Sequence, residues 1–327
     1  MKKVTIKDVA TRSGVSISTV SQYLNGRYNY MAEETKEQVK EAVRELNYQP
    51  NFMARNLKNR STKTIGIIVS NILHHFAVSL TRKIEDYCDM NGYSLIICNA
   101  DDDPDKEQKY INNLISKQVD GLIIMPTTEN DELYKRMANQ RFPLVFIDRY
   151  MADVDVPVFK LNNSEAVKTA YDFLQSRGAE RFCYIGVADQ LQLTPRVERR
   201  DQFLKLAEKN NHLEHQVIKD TNNLLTERIS QEFVDTDKTG IILANDFALM
   251  AFLNYVSESG INIRGRHHIV AIDNLPLADV YQPRFATITQ PIEEIASNAY
   301  ETLMQQVENQ TEPRQMISEY EGALIDR

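Results

Sequence analysis

From Thr64 onward the chain alternates short apolar runs with amphipathic stretches, and no other feature restricts its fold as tightly. Ile65-Gly66-Ile67-Ile68-Val69, Ser94-Leu95-Ile96-Ile97-Cys98 and Gly121-Leu122-Ile123-Ile124-Met125 are continuous apolar runs, as expected of strands covered on both faces. A helix running to Asn91-Gly92 separates the first two, and one opened by Asp103-Pro104 separates the next two. Strand and helix in repetition predict a parallel sheet with helices on both sides. The pattern continues from Pro143 to Asp148 and then restarts. It predicts a helix over 164–177 ended by Gly178, a strand over 182–185, a helix over 196–210 and a strand over 241–244. A helix over 246–259 ended by Gly260 and a strand over 269–273 complete the second series. Two similar halves in roughly 265 residues exceed one ordinary core, so two lobes with a cleft between them are expected.

The first sixty residues read differently. Thr5 is an N-cap with Asp8 three residues on, and Ile6, Val9 and Ala10 form one stripe of a first helix. Gly14 supplies a left-handed turn, Val15 fills the angle, and Ser16 caps a second helix from Ile17 to Asn25. Val20 and Leu24 face inward, leaving Ile17, Ser18, Ser21 and Gln22 on the outer side, where a major groove could meet them. A third helix, Glu33 to Leu46, carries Val39, Ala42, Val43 and Leu46 at core spacing, with acids in its first turn. Such a helix-turn-helix also serves as plain packing, but the charge favours DNA. Residues 1–63 hold twelve Lys and Arg against six Asp and Glu, in a chain of net charge −8. A cationic head on an acidic body suits phosphate neutralisation. Beyond Tyr48-Gln49-Pro50, residues 51–58 are too short for a stable free helix yet helical in composition, which predicts a tether that folds on contact.

In open parallel sheets ligands sit beyond the carboxyl ends of strands. That rule selects Ser70 and Asn71, Asp148 and Arg149, Asn245 and Asp246, Asp273 and Asn274, with Gln290 at a crossing between lobes. Carboxylates accept from sugar hydroxyls, Arg and Asn donate, and Phe76 can cover an apolar ring face. Each strand-end Asp can equally be a helix N-cap, and Asp246 is a candidate for that role.

Other classes find little support. The histidines His74-His75, His212-x-x-His215 and His267-His268 lack the cysteine or carboxylate pattern that would complete a metal site, and no cofactor is expected. Cys88, Cys98 and Cys183 are scattered and odd in number, as for buried thiols in a reducing compartment. No apolar signal region and no run approaching ~18 apolar residues occur, so a cytoplasmic protein away from membranes is expected. There is no glycine-rich phosphate loop, nucleophile elbow or catalytic carboxylate pair, so enzyme activity is not expected.

The runs Thr5-Ile-Lys-Asp-Val-Ala10, Gly14-Val-Ser-Ile-Ser-Thr-Val-Ser21, Leu24-Asn25-Gly26, Glu33-Glu34-Thr35, Leu46-Asn47-Tyr48-Gln49-Pro50-Asn51 and Ala54-Arg55-Asn56-Leu57 resemble the lactose-repressor and galactose-repressor (LacI/GalR) family of bacterial transcription regulators, and the resemblance spans the chain. It implies an all-α helix-turn-helix headpiece (1–48), a hinge helix or linker (49–62) and an α/β bilobed, periplasmic-binding-protein-like effector and dimerisation domain (63–327) of two doubly wound parallel sheets. The first lobe would take 63–160 and 290–312, the second 161–289 and 313–327.

It implies DNA contacts from Thr5, Ser16, Ile17, Ser18, Thr19, Ser21, Gln22 and Asn25. Ala54, Leu57 and Lys58 would belong to the hinge, with Leu57 as a minor-groove wedge. Effector contacts would come from His75, Phe76, Asp148, Arg149, Arg199, Asn245, Asp273 and Gln290. Three departures stand out: Gln22 where many relatives carry arginine, Ile72-Leu73-His74-His75-Phe76 where many have an Asn-Pro-Phe-Phe type, and Asn274 for a common aspartate. Glutamine favours adenine edges over guanine. The last two lower the acidity of the cleft, and with Arg149 and Arg199 they favour a sugar acid among sugars, sugar acids and sugar phosphates. The implied function is a homodimeric repressor on a palindromic operator, effector closure altering the paired hinges and so the operator affinity. The alternative is a soluble sugar-binding receptor without DNA function.

Overall fold

The computed structural model describes residues 4–24, 26–28, 31–46, 48, 61–188, 192–221, 223–309 and 314–327. The chain divides into two compact units, residues 1–62 and 63–327.

The smaller unit contains α1 (Ile6–Ser13), α2 (Ile17–Leu24) and α3 (Glu33–Glu45). Thr5 and Asp8 form the reciprocal capping box: the Thr5 N–H donates to Asp8 Oδ2 at 2.8 Å while the Asp8 N–H donates to Thr5 Oγ1 at 3.4 Å. Gly14 ends α1 at φ 69°, a left-handed conformation that glycine adopts without a Cβ penalty. The Ser16 hydroxyl accepts from the Thr19 N–H at 3.1 Å and so starts α2. Val9, Ala10, Val20, Val39 and Ala42 form the core, with Val15, Leu24, Val43 and Leu46 packed against it.

The larger unit holds two six-stranded sheets of matching design. The first contains β1 (Thr64–Val69), β2 (Ser94–Asn99), β3 (Gly121–Ile124), β4 (Leu144–Ile147), β5 (Val158–Leu161) and β11 (Ile317–Tyr320), in the order β11-β5-β4-β3-β1-β2. The second contains β6 (Arg181–Val187), β7 (Glu214–Asp220), β8 (Thr239–Leu243), β9 (His267–Ile272), β10 (Ala286–Thr289) and β12 (Ala323–Ile325), in the order β12-β10-β9-β8-β6-β7. Among the described residues every pairing is parallel except β10 with β12.

Apolar side chains bury both faces of each sheet. Helices α4 (His75–Met90) and α12 (Ile292–Asn309) cover one face of the first sheet, and α5 (Pro104–Ser116) and α6 (Asp131–Asn139) the other. On the second sheet the corresponding pairs are α7 (Asn163–Ser176) with α8 (Thr194–Lys209), and α9 (Leu225–Glu232) with α10 (Asp246–Ser259). A short α11 (Leu277–Val280) follows β9.

The chain passes between lobes three times: from β5 to α7, from β10 to α12, and from β11 to β12. This corrects one sequence expectation. Residues 313–327 do not all join the second lobe, because Ile317–Tyr320 pairs in register with β5 of the first sheet and only Ala323–Ile325 joins the second. Among the described residues no helix is long and apolar enough to cross a membrane.

Candidate functional site

Within the larger unit a cleft lined by residues of both lobes lies between them. Six of its polar lining residues come from strand ends: Ser70 after β1, Asp148 and Arg149 after β4, Asn245 after β8, Asp273 after β9 and Gln290 after β10. This is where the parallel-sheet rule puts a ligand. Asp148 and Asp273 follow equivalent strands of the two sheets, and both have positive φ, 67° and 87°. Left-handed backbone at two matched, non-glycine positions is strain of a kind concentrated at binding sites.

Of the eight residues expected at an effector site, Phe76, Asp148, Arg149, Arg199, Asn245, Asp273 and Gln290 line this cleft, and His75 does not. The lining histidine is His74, the residue before the first turn of α4. His75 turns along its own helix, its Nε2 3.4 Å from the Ser79 hydroxyl, and its backbone N–H donates to Asp246 of the second lobe. The reading missed by one position because periodicity cannot fix the register of a helix entrance. Asp246 also needs correction: Asn245 is the N-cap of α10, accepting from the Ala248 N–H at 2.9 Å, and Asp246 is its first helical residue. Asn274 lies outside the lining, where its Oδ1 accepts from Arg327 at 2.7 Å and from Thr287 at 3.0 Å.

Leu193, Pro195 and Arg196 also line the cleft and were not singled out from sequence. Arg196 was accessible to it, because it stands three residues before Arg199 on one helix and so shares its face.

The charges are arranged in a definite order. Arg149 is buried and donates to Asp102 Oδ1 at 2.7 Å. Arg199, 6% exposed, donates from Nε to Asn163 Oδ1 at 2.7 Å and from Nη1 to the Ala244 carbonyl at 2.6 Å. Both acceptors are neutral, and among the described residues no carboxylate lies within ion-pair distance of Arg199. Gln290 donates from Nε2 to Asp273 Oδ1 at 2.6 Å, and its own Oε1 is buried with no donor among the described residues. Burial pushes the Asp273 carboxyl above the usual carboxylate range, more than the Arg199 charge and the Gln290 bond pull it down. The cleft therefore offers a cation, an acceptor awaiting a donor and a poorly solvated carboxyl within one corner.

On the smaller unit, α2 presents Ile17, 47% exposed, with exposed Ser16, Ser18 and Gln22 and half-buried Thr19 and Ser21. Thr5 belongs to the capping box at the entrance of α1. Ser16 Oγ lies 2.6 Å from Ser18 Oγ and 2.8 Å from Thr19 Oγ1, so the first turn of α2 carries a connected hydroxyl cluster. Asn25, Ala54, Leu57 and Lys58 lie outside the described residues.

Comparison with known proteins agrees with these two units. Residues 5–51 match the family model "Bacterial regulatory proteins, lacI family", and residues 171–327 match a periplasmic binding protein-like domain. The chain is 34% identical to the probable HTH-type transcriptional regulator EndR of Paenibacillus polymyxa, over 96% of this chain and 94% of that protein. It is 31% identical to the HTH-type transcriptional regulator KdgR of Bacillus subtilis (strain 168), over 99% and 96% respectively. In fold it resembles the lac repressor dimer bound to operator and the anti-inducer ONPF, with a TM-score of 0.84 and 22% identity over 100% of this chain and 98% of that one. The relatives match through the headpiece as well as the lobes, which leaves the receptor alternative unsupported. The chain belongs to the lacI family of bacterial regulatory proteins and is a transcription regulator with a helix-turn-helix headpiece and a two-lobed α/β domain.

Proposed function

We propose that this regulator is a cytoplasmic, non-enzymatic repressor that binds a palindromic operator as a homodimer. Its operator affinity is set by a small polyhydroxylated effector carrying a carboxylate, held between the lobes. One corner of the cleft carries the effector reading: Arg199 meets only neutral acceptors while Gln290 Oε1 meets no donor among the described residues. A guanidinium fork satisfies a carboxylate in two parallel bonds, and an orphan amide oxygen beside Asp273 calls for a hydroxyl. Phe76 supplies the apolar wall on which a sugar ring face can rest.

On the DNA side, Ile17, Ser18 and Gln22 would read base edges, with Thr5, Ser16, Thr19, Ser21 and Asn25 around them and Ala54, Leu57 and Lys58 as the hinge. The dimer reading draws on exposed apolar side chains of the first lobe, Leu73 at 75% and Val78 at 48%, and on the need of a palindrome for two headpieces.

The test is fluorescence anisotropy of a labelled palindromic upstream duplex, titrated with D-glucose, D-gluconate and fructose 1-phosphate. The expected result is salt-sensitive, sequence-specific binding that D-gluconate shifts and D-glucose does not. A response to D-glucose alone would remove the carboxylate from the effector, and binding no tighter than to random DNA would remove the operator.

A further inference from the structure

Behind the cleft runs a chain of polar groups whose direction is fixed at both ends. Lys160 on β5 is 1% exposed, with its ammonium 2.9 Å from Glu198 Oε2 and 2.7 Å from Glu319 Oε1. Glu198 Oε2 also accepts from Asn163 Nδ2 at 2.8 Å, and Asn163 Oδ1 accepts from Arg199 Nε at 2.7 Å. Lysine and arginine can only donate, and an ionised glutamate can only accept. The Asn163 amide, turned as it is here, gives to Glu198 from its nitrogen and takes from Arg199 at its oxygen, so it joins the two.

The elements joined by this chain meet where the polypeptide crosses between lobes. Lys160 and Glu319 stand on the neighbouring strands β5 and β11, each followed directly by a crossing, while Asn163 opens α7 and Glu198 sits on α8 of the second lobe. A buried ammonium is expensive, and burial alone would drive Lys160 down; its two carboxylates more than reverse this. Such a group does nothing for the cleft directly, since it lines no part of it.

We propose that Asn163, Glu198 and Lys160 are positioning residues for Arg199, fixing its guanidinium from behind and tying its pose to the strands on which the chain crosses between lobes. Arg199 then reports at the cleft what happens at the crossings. Its role toward an effector rests on the reading of the cleft given above, whereas its placement by the relay does not.

The experiment uses the full-length protein. The Arg199 Nε–Hε resonance is assigned in 15N-resolved spectra with Arg199→Lys, and its exchange with solvent is measured in Glu198→Leu, Glu198→Gln and Lys160→Met, each checked for an unchanged melting transition. Glu198→Leu, which makes no direct change to the guanidinium, should speed exchange about tenfold or more by freeing the Asn163 amide. Glu198→Gln keeps an acceptor for that amide and should restore protection to within about threefold of the parent. Lys160→Met should move exchange in the same direction as Glu198→Leu by a smaller factor, and decides the matter if Glu198→Leu does not fold. Parent-like exchange in the folded variants overturns the relay. D-gluconate titration of Arg199→Ala reports separately on the cleft: undiminished affinity there removes the effector reading and leaves the relay to the guanidinium signal.

Discussion

His74 Nδ1 stands 2.7 Å from Asp246 Oδ1, a contact that joins the first lobe to the second beside the cleft. The same carboxylate accepts from the His75 N–H at 2.9 Å and from the Phe247 N–H at 2.8 Å, while the His74 ring lies 4.2 Å from that of Phe247. A side chain from one lobe thus satisfies an otherwise orphaned N–H at the entrance of a helix in the other. Burial raises the Asp246 carboxyl, but the bonds from His74, His75 and Phe247 bring it below the usual carboxylate range. A depressed folded value means the contribution is complete above the unfolded value, about 4, and fades as pH falls through the folded one. Asp246→Asn should therefore cost about 1.5–3 kcal/mol at pH 7. Urea denaturation at stepped pH should show that difference holding down to about pH 4 and shrinking below it.

Arg199→Ala should abolish the response of the operator complex to the effector and leave operator affinity without effector largely unchanged. Anisotropy titrations of the variant and parent on the same duplex check this, and a normal response in the variant would remove Arg199 from the site.

Gly66 sits in the middle of β1, where an added Cβ would come 2.5 Å from Leu122 Cδ2 and 2.9 Å from Leu114 Cδ1. Overpacking at such a place costs about 1–3 kcal/mol. Gly66→Ala should lower the thermal transition of the two-lobed unit in calorimetry.

Gln22 is exposed on the outer side of α2, and its amide suits the edge of adenine. Gln22→Arg should move the preferred base at one operator position from adenine toward guanine, by about 1–3 kcal/mol of discrimination. Selection from a randomised half-site library, sequenced for both proteins, measures the change.

Burial pushes the Cys88 and Cys183 thiols up to about 12, while Cys98 is only half buried. A thiol-specific chromogenic reagent at pH 8 should label Cys98 first, and Cys88 and Cys183 only after unfolding. Labelling followed by peptide mass analysis distinguishes the three.

The strands that could be read most plainly from sequence are the central ones. β3 is apolar throughout, and β1 and β8 are apolar after an opening threonine, because helices cover both their faces. The edge strand β2 was legible too, through its Leu95-Ile96-Ile97-Cys98 run, but β5, β7 and β11 gave no such signal. β7 reads Glu-His-Gln-Val-Ile-Lys-Asp with one face in solvent, β11 reads Ile-Ser-Glu-Tyr, and β5 hides a lysine among Val, Phe and Leu. Nothing local in Val158-Phe-Lys-Leu161 indicates that the ammonium is buried, since its partners lie 38 and 159 positions away. The cleft was more legible than the network behind it: strand ends follow from the alternation itself, whereas the pairing of Lys160 with Glu198 and Glu319 exists only once both sheets are formed. The His74 register was lost for a smaller reason, a single residue at a helix entrance.

Because the final fourteen described residues lend a border strand first to one sheet and then to the other, neither lobe can be made by cutting the gene at a single point. A frameshift near codon 314 would unravel the margin of both lobes together, and any attempt to express one lobe alone has to splice two separated stretches of chain.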